Sequence, residues 1–433
     1  MSASPSPTTT PTAAATGRWV CPFCPLLCDS VGVRLGGTGA ALELQGTECH
    51  RAAPALARFS RTPPAVAPSI DGQACGLDAA IAAAARMLAA SHQPLFGGLG
   101  TDVAGARALY PLACATGAIC DAAAGEALMQ TVRALQDRGG FTSTFAELRN
   151  RADLIVFFGT PGANAADFIR RAGLGEDLVP ARHLVCLGHE VAPALAGLPN
   201  ASSETIAWQG DAFTSAATLA ALVAGKTVRG APPELAALAA RLKAATYSVI
   251  VWDAAGLPAQ GGLIIEMLQR AVATLNQRTR SAGFPLGGSV SAATVNQVFS
   301  WLSGLPLRSR AGALGLEHEP YCFDAKRLLA DGSVDALLWI SSFGPDFPVP
   351  SATLPRIVLG HPEMAPPAGG KDIVFIPVST PGVGSAGHLF RTDGVVLMSL
   401  LPIPGYIETL PTAAEVLGRI TLALKAQMAG GSP

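Results

Sequence analysis

Apolar and polar positions along the chain alternate in two periods, and the switches between them mark its elements. Val31-Gly-Val-Arg-Leu35 and Ala41-Leu-Glu-Leu-Gln45 follow the two-residue period of strands, with Gly36-Gly-Thr-Gly39 as a turn between them, so an antiparallel hairpin is predicted. Gly76-Leu-Asp78 opens an alanine-rich helix reaching about Ser91, and Pro94 to Gly100 is a short apolar run that ends in glycines. A helix over Val103 to Thr116 and a strand over Gly117 to Cys120 complete a right-handed βαβ unit. Phe145 to Arg149 then leads into Ala152–Gly159, a strand apolar enough to be buried on both faces, followed by a helix from about Asn164 to Ala172. A strand at His183–Leu187, helices between Asp211 and Thr246, and a strand at Tyr247–Trp252 continue the alternation. Val334–Ile340, Arg356–Gly360 and Asp372–Pro377 predict a last parallel series. Strand and helix alternate for nearly the whole length, so the class is α/β.

Composition sharpens this reading. The 433 residues leave room for two or three domains with substantial cores. Hydrophobic residues make up 49% and charged ones 14%, with a net charge of −1, so there is no basic field to attract nucleic acid or anionic lipid. So few charges point to a surface that lies largely against partner subunits. The first eighteen residues are mostly Ser, Pro, Thr and Ala and read as a disordered tail, not a signal peptide; Arg61-Thr-Pro-Pro64 reads as a linker. With no uninterrupted apolar stretch of about 20 residues, no membrane span is expected, and the expected location is cytoplasmic.

The strongest chemical signal is Cys21-Pro-Phe-Cys24-Pro-Leu-Leu-Cys28, with Cys49 brought back by the hairpin. Three thiolates at C-x2-C-x3-C spacing on one loop, plus a fourth from elsewhere, suit an iron–sulfur cluster. Four thiolates also suit structural zinc, although paired C-x2-C knuckles are the commoner pattern, and an empty cysteine set stays open as well. A disulfide is disfavoured, since nothing indicates secretion. Cys75, Cys114, Cys120, Cys186 and Cys322 are expected to be buried small apolar residues. Gly97-Gly-Leu-Gly100 and Gly382-Val-Gly-Ser-Ala-Gly387 read as tight turns, because neither has the context of a dinucleotide fingerprint. Among polar residues, His50 beside Cys49 reads as a helix-start histidine, while Asp121, Asp153, His388 and Arg391 flank buried strands where ligand-facing residues collect.

An N-terminal C-x2-C-x3-C…C ahead of a doubly wound chain resembles the catalytic subunits of the molybdopterin and tungstopterin oxidoreductases. Cys21 to Asp29, Ala134-Leu-Gln-Asp137, Thr144-Phe-Ala-Glu-Leu-Arg-Asn-Arg-Ala-Asp153, Asn296-Gln-Val, Ser309-Arg310, and Gly382 to Gly387 with Arg391-Thr-Asp393 look like the B subunit of formylmethanofuran dehydrogenase. In that family a strand-ending aspartate is followed six positions later by a metal-binding cysteine and then a catalytic histidine. Here Asp121 is followed at those positions by Ala127 and Leu128, which can neither coordinate a metal nor move a proton. A shifted alignment would put Cys120 in the ligand role, but it lies before the aspartate, inside a strand. A catalytic arginine of the family is not matched within Gly312 to His318.

Loss of both groups is similar to the B subunit of the bacterial formyltransferase/hydrolase complex. The resemblance implies a non-redox scaffold without molybdopterin or tungstopterin, with Cys21, Cys24, Cys28 and Cys49 as ligands of a 4Fe-4S cluster. Its partners would be hydrolase and transferase chains and a chain like the C subunit of the dehydrogenase, with no nucleic acid and no membrane. The alternatives are an active tungsten or molybdenum dehydrogenase subunit and a free-standing protein that binds a nucleotide-like ligand. The expected architecture is a tail (1–18), a cysteine-bearing hairpin domain (19–67), a first Rossmann-like domain (68–140 and 328–415), a second one inserted in it (141–327), and a C-terminal helix and tail (416–433), as in the formate dehydrogenase type.

Overall fold

The computed structural model describes residues 18–36, 40–61, 63, 65–175, 181–191, 193–351, 353–364 and 371–430. The expected N-terminal tail, the tip of the 36–39 turn, part of the 61–64 linker and the last residues of the C-terminal tail lie outside the described residues.

The predicted hairpin forms from Gly32–Arg34 and Glu43–Gln45, antiparallel with Val33 opposite Leu44. Each α/β unit is then built on one sheet. A five-stranded, all-parallel sheet takes the order Arg280–Leu286, Tyr247–Asp253, Leu154–Phe158, Arg182–Leu187, Ala201–Ile206. The chain starts in the middle and winds outward to both edges, so this sheet is doubly wound. Its central strands are buried on both faces, as the Leu154–Phe158 run shows. Leu154, Val156 and Phe158 face the layer holding the 212–223, 233–244 and 261–275 helices, while Ile155 and Phe157 face the 145–151 and 162–172 helices.

The nine-stranded sheet carries a parallel centre of Ile119–Cys120, Pro94–Gly100, Ala336–Ser341, Arg356–Gly360 and Ile373–Pro377. Antiparallel strands finish both edges: Ser69–Ile70 with Gln73–Ala74 at one, Ser309–Gly312 with Gly315–His318 at the other. The glycines of Pro94–Gly100 serve packing. A Cβ at Gly97 would stand 2.9 Å from the Trp339 ring, and Gly98, at φ +73°, has the Ile340 carbonyl 2.7 Å from where its Cβ would be.

Two boundaries differ from expectation. The five-stranded sheet ends at Leu286, and Ser309 already pairs with Cys120 in the other sheet, so the chain returns well before residue 327. The Ala292–Ser303 helix packs with the first unit too, because Val295, Val298 and Phe299 belong to its core. The C-terminal helix runs Ala413–Gly430 and buries Val416, Leu417, Ile420 and Leu424 in that same core, which makes it part of the first unit and not an appendage. Among the described residues, no helix is long and apolar enough to cross a membrane.

Candidate functional site

The cysteine loop is closed by its own backbone. The amide of Cys21 donates to the carbonyl of Cys28 at 2.8 Å, and that of Leu27 to Cys24 at 3.1 Å, with Leu27 at φ +45° and fully buried. The hairpin delivers Cys49 to the same hydrophobic cluster as Cys21 and Cys28, where its carbonyl accepts from Ala53 at the start of the Ala52–Leu56 helix. Cys21, Cys24 and Cys49 are buried and Cys28 is half-buried.

The thiols feel one another. Burial, then the neighbouring Cys24, raises the Cys21 thiol well above its usual range, with Cys28 and Cys49 adding to the effect. Burial first, and Cys24 second, push Cys28 up to about 12, against the pull of Arg171 and Arg170. Cys24 is raised by burial, against Arg51. The loop as it stands therefore carries neutral thiols, and a soft metal would have to displace their protons. Among the described residues, no three His, Cys, Asp or Glu side chains form a ready-made metal group. The donor set fits an iron–sulfur cluster in chemistry: four soft sulfurs, water excluded by Pro22, Leu26 and Leu27, and three arginines near enough to stabilise a negative core.

Three separate segments hold the loop. Trp19 Nε1 donates to the Gly382 carbonyl at 2.7 Å, Thr392 N donates to Pro25 at 2.9 Å, and Arg171 Nε donates to Leu26 at 3.0 Å. Gly382 thus belongs to a turn that docks the loop: its amide donates to the Ser385 carbonyl, and Pro22 packs 3.2 Å from where a Cβ would project. Beside Cys49, Arg51 donates to Asn164 Oδ1 at 2.5 Å, and Asn164 Nδ2 donates to Asp253 Oδ2 at 2.7 Å, at the carboxyl end of the five-stranded sheet. His50 is exposed, 3.8 Å from Asp167, just before the helix start.

Ala127 and Leu128 lie in the first turn of the Gly125–Arg138 helix, a segment to which the sequence patterns assign no element. Ala127 is 8% exposed in the core of the inserted unit, and Leu128 packs on the core of the first. A cavity of about 100 Å³ adjoins both. Between the ends of the Pro94–Gly100 and Ala336–Ser341 strands, where a doubly wound sheet opens its ligand crevice, the space is about 30 Å³, with Phe23 and Phe343 in its wall. Cofactor pockets run to several hundred Å³, so neither of these two spaces fits a metal–pterin group.

The other polar candidates resolve into structural roles. Asp153, at the amino end of its strand, accepts from the amides of Thr246 and Tyr247 at 2.7 and 2.9 Å. Arg391 is paired with Asp393 and lies over the Phe145 ring, and His388 is exposed. Asp121 does sit at a carboxyl strand end, 3.3 Å from the buried Arg308. Sequence patterns do not single out Arg308; what marks it is a buried guanidinium on a backbone held at φ +60°, and both are visible only in the fold. It also pairs with Asp324 at 2.5 Å and donates to the Pro320 carbonyl. Cys120 is buried in the first core, its carbonyl accepting from Arg308 N, and Cys186 is buried as expected. Cys114 and Cys322 are exposed and Cys75 half-exposed, against expectation, because they fall on a helix outer face, a loop and a sheet edge.

No family model matches the chain. The B subunit of the formyltransferase/hydrolase complex Fhc from Methylorubrum extorquens is 32% identical over 358 residues, covering 81% of this chain and 96% of the relative. The B subunit of the tungsten-containing formylmethanofuran dehydrogenase 2 of Methanocaldococcus jannaschii is 26% identical over 407 residues, 87% of this chain and 91% of the relative. Among solved structures, the crystal structure of the formyltransferase/hydrolase complex FhcABCD from Methylorubrum extorquens with methylofuran matches at a TM-score of 0.71 and 30% identity, over 84% of this chain and all of that one. With the cysteine loop, the two wound sheets and the methyl group of Ala127 in place, the chain belongs to the family of the formyltransferase/hydrolase complex B subunits.

Proposed function

We propose that this chain is the non-redox scaffolding subunit of a formyltransferase/hydrolase assembly. In that assembly the hydrolase and transferase chains move a formyl group from formyl-tetrahydromethanopterin to a methanofuran-type carrier and release it as formate, and a chain like the C subunit of the dehydrogenase completes the complex. The chain's part is to hold partners in register, without a turnover site of its own. The observation that carries this reading is Ala127, a buried methyl lining a space of only about 100 Å³; the resemblance aligns this position with the metal-binding cysteine of the related dehydrogenases. Cys21, Cys24, Cys28 and Cys49 hold a 4Fe-4S cluster as a staple between loop and hairpin, and molybdopterin and tungstopterin are absent. The assembly works in the cytoplasm.

The test is the metal and pterin content of the native complex, with its subunit composition. Three unlike subunits should co-purify, without tungsten, molybdenum or pterin. Stoichiometric tungsten or molybdenum would select the dehydrogenase reading, and a stable free monomer would select a lone binding protein.

A further inference from the structure

Beside Ala127 lies a stretch that the scaffolding role leaves unused. The Arg280–Leu286 strand runs through Gly287, Gly288, Ser289, Val290 and Ser291 into the Ala292–Ser303 helix. Gly287 and Gly288 stand at φ +88° and +85°, and a side chain at Gly287 would strike the Asp253 carboxylate. A strand, two left-handed glycines and a helix start form the kind of concavity whose backbone amides take anions.

Donors there are free. Ser291 occupies the N-cap, but its hydroxyl donates to the Leu99 carbonyl at 2.9 Å, so no side chain caps the helix. Among the described residues, the amide of Ala293, which faces this cavity, has no acceptor. Independently, Ser289 is 6% exposed and its Oγ has no partner. Ser289 and Ala293 both line the cavity of about 100 Å³, whose lining also includes Ala127, Leu128 and Ala254. The nearby Asp253 is already occupied, accepting from Ala255 N at 3.1 Å and Asn164 Nδ2 at 2.7 Å.

We propose that this cavity binds a small monocarboxylate of one or two carbons. Its oxygens meet Ser289 Oγ and the first-turn amide of Ala293, where the helix dipole favours negative charge. Its carbon end rests on Ala127 and Leu128. The volume excludes a nucleotide. The apolar wall disfavours phosphate or sulfate, whose oxygens point in every direction and would be stranded there.

The test uses the purified complex, with formate and acetate as probes in ligand-observed NMR and thermal-shift titrations. The parent should show saturable binding. Ser289→Ala should weaken it about tenfold, the worth of one hydrogen bond to a charged group, and Ala127→Leu should abolish it by filling the space, with subunit composition unchanged in both. Without the probe, Ser289→Ala should be no less stable than the parent, because the hydroxyl it removes is unpaired. Equal affinity in the parent and both variants, no saturable binding, or formamide binding as tightly as formate would each overturn the assignment. Because the residues named in the cavity are this chain's own, those outcomes speak to the loop and leave the assembly reading to its own metal analysis.

Discussion

The guanidinium of Arg308 and the carboxylate of Asp121 face each other at 3.3 Å, each side chain 2% exposed. The pair ties the Ile119–Cys120 strand to the Ser309–Gly312 strand beside it in the same sheet, and Asp324 and the exposed Glu126 complete the charge around Arg308. Burial outweighs the pull of Arg308 and raises Asp121 to about 6.

That shift sets a sign. Between the ordinary value of 3.8 and about 6, the folded chain keeps a proton on Asp121 that the unfolded chain has released. This contribution to stability is therefore fully present below the window and is lost as pH rises through it, by up to about 3 kcal/mol. Asp121→Asn should flatten that part of the curve. Urea unfolding of parent and variant at intervals from pH 4 to 7 measures it, and parallel curves would count against the raised carboxyl.

Removing the cation should cost more than removing the anion. Arg308→Met leaves Asp121 and Asp324 facing each other without it, and breaking a buried pair in this way costs about 3–5 kcal/mol. The double variant with Asp121→Asn should recover part of the loss, so a double-mutant cycle in urea reads the coupling directly.

If the thiols hold a cluster, anaerobically assembled protein carries iron and sulfide and absorbs broadly in the visible. Cys24→Ala should abolish that absorption and most of the iron. An unchanged spectrum would place the chromophore elsewhere.

Placing a thiol and an imidazole at positions 127 and 128 should not create a redox centre. The double variant Ala127→Cys, Leu128→His gains a thiol and an imidazole, but the space they line stays at about 100 Å³. Expressed where tungsten, molybdenum and pterin are supplied, it should purify with none of them by elemental analysis.

Gly98→Ala tests whether the glycine-rich strand end serves packing. Its φ of +73° and the Ile340 carbonyl 2.7 Å from the new Cβ both oppose a side chain, so a loss of about 2 kcal/mol or more is expected by thermal unfolding.

Local pattern makes much of the fold readable. Pro94–Gly100 and Val103–Thr116 stand between clear glycine and N-cap signals, and the structure places both where periodicity does. The Gly125–Arg138 helix escapes pattern reading, because its polar, charged sequence packs by a narrow stripe of Ala127, Gln130 and Ala134 between two cores. The early return to the first sheet is hidden for a different reason: Ser309 meets Cys120 through one long-range pairing that no local pattern announces. The cysteine loop is legible as a group of thiols that the hairpin brings together, whereas its clamps, Arg171 and Gly382, are properties of tertiary contact. Cys114 and Cys322 follow no burial rule, since a cysteine on an outer surface looks the same in sequence as one inside.

The indole of Trp19 finds its acceptor at Gly382, 363 residues further along the chain. A growing polypeptide emerges from the ribosome N-terminus first, at about 5–20 residues per second, so this bond must wait tens of seconds for its second half. Throughout that interval the Cys21–Cys28 segment lacks its cover, and its sulfurs stand open to the surrounding medium. Whatever atom they are to receive can be handed over before the last strands arrive, and the same delay leaves them vulnerable to oxidants until the C-terminal third shuts the door.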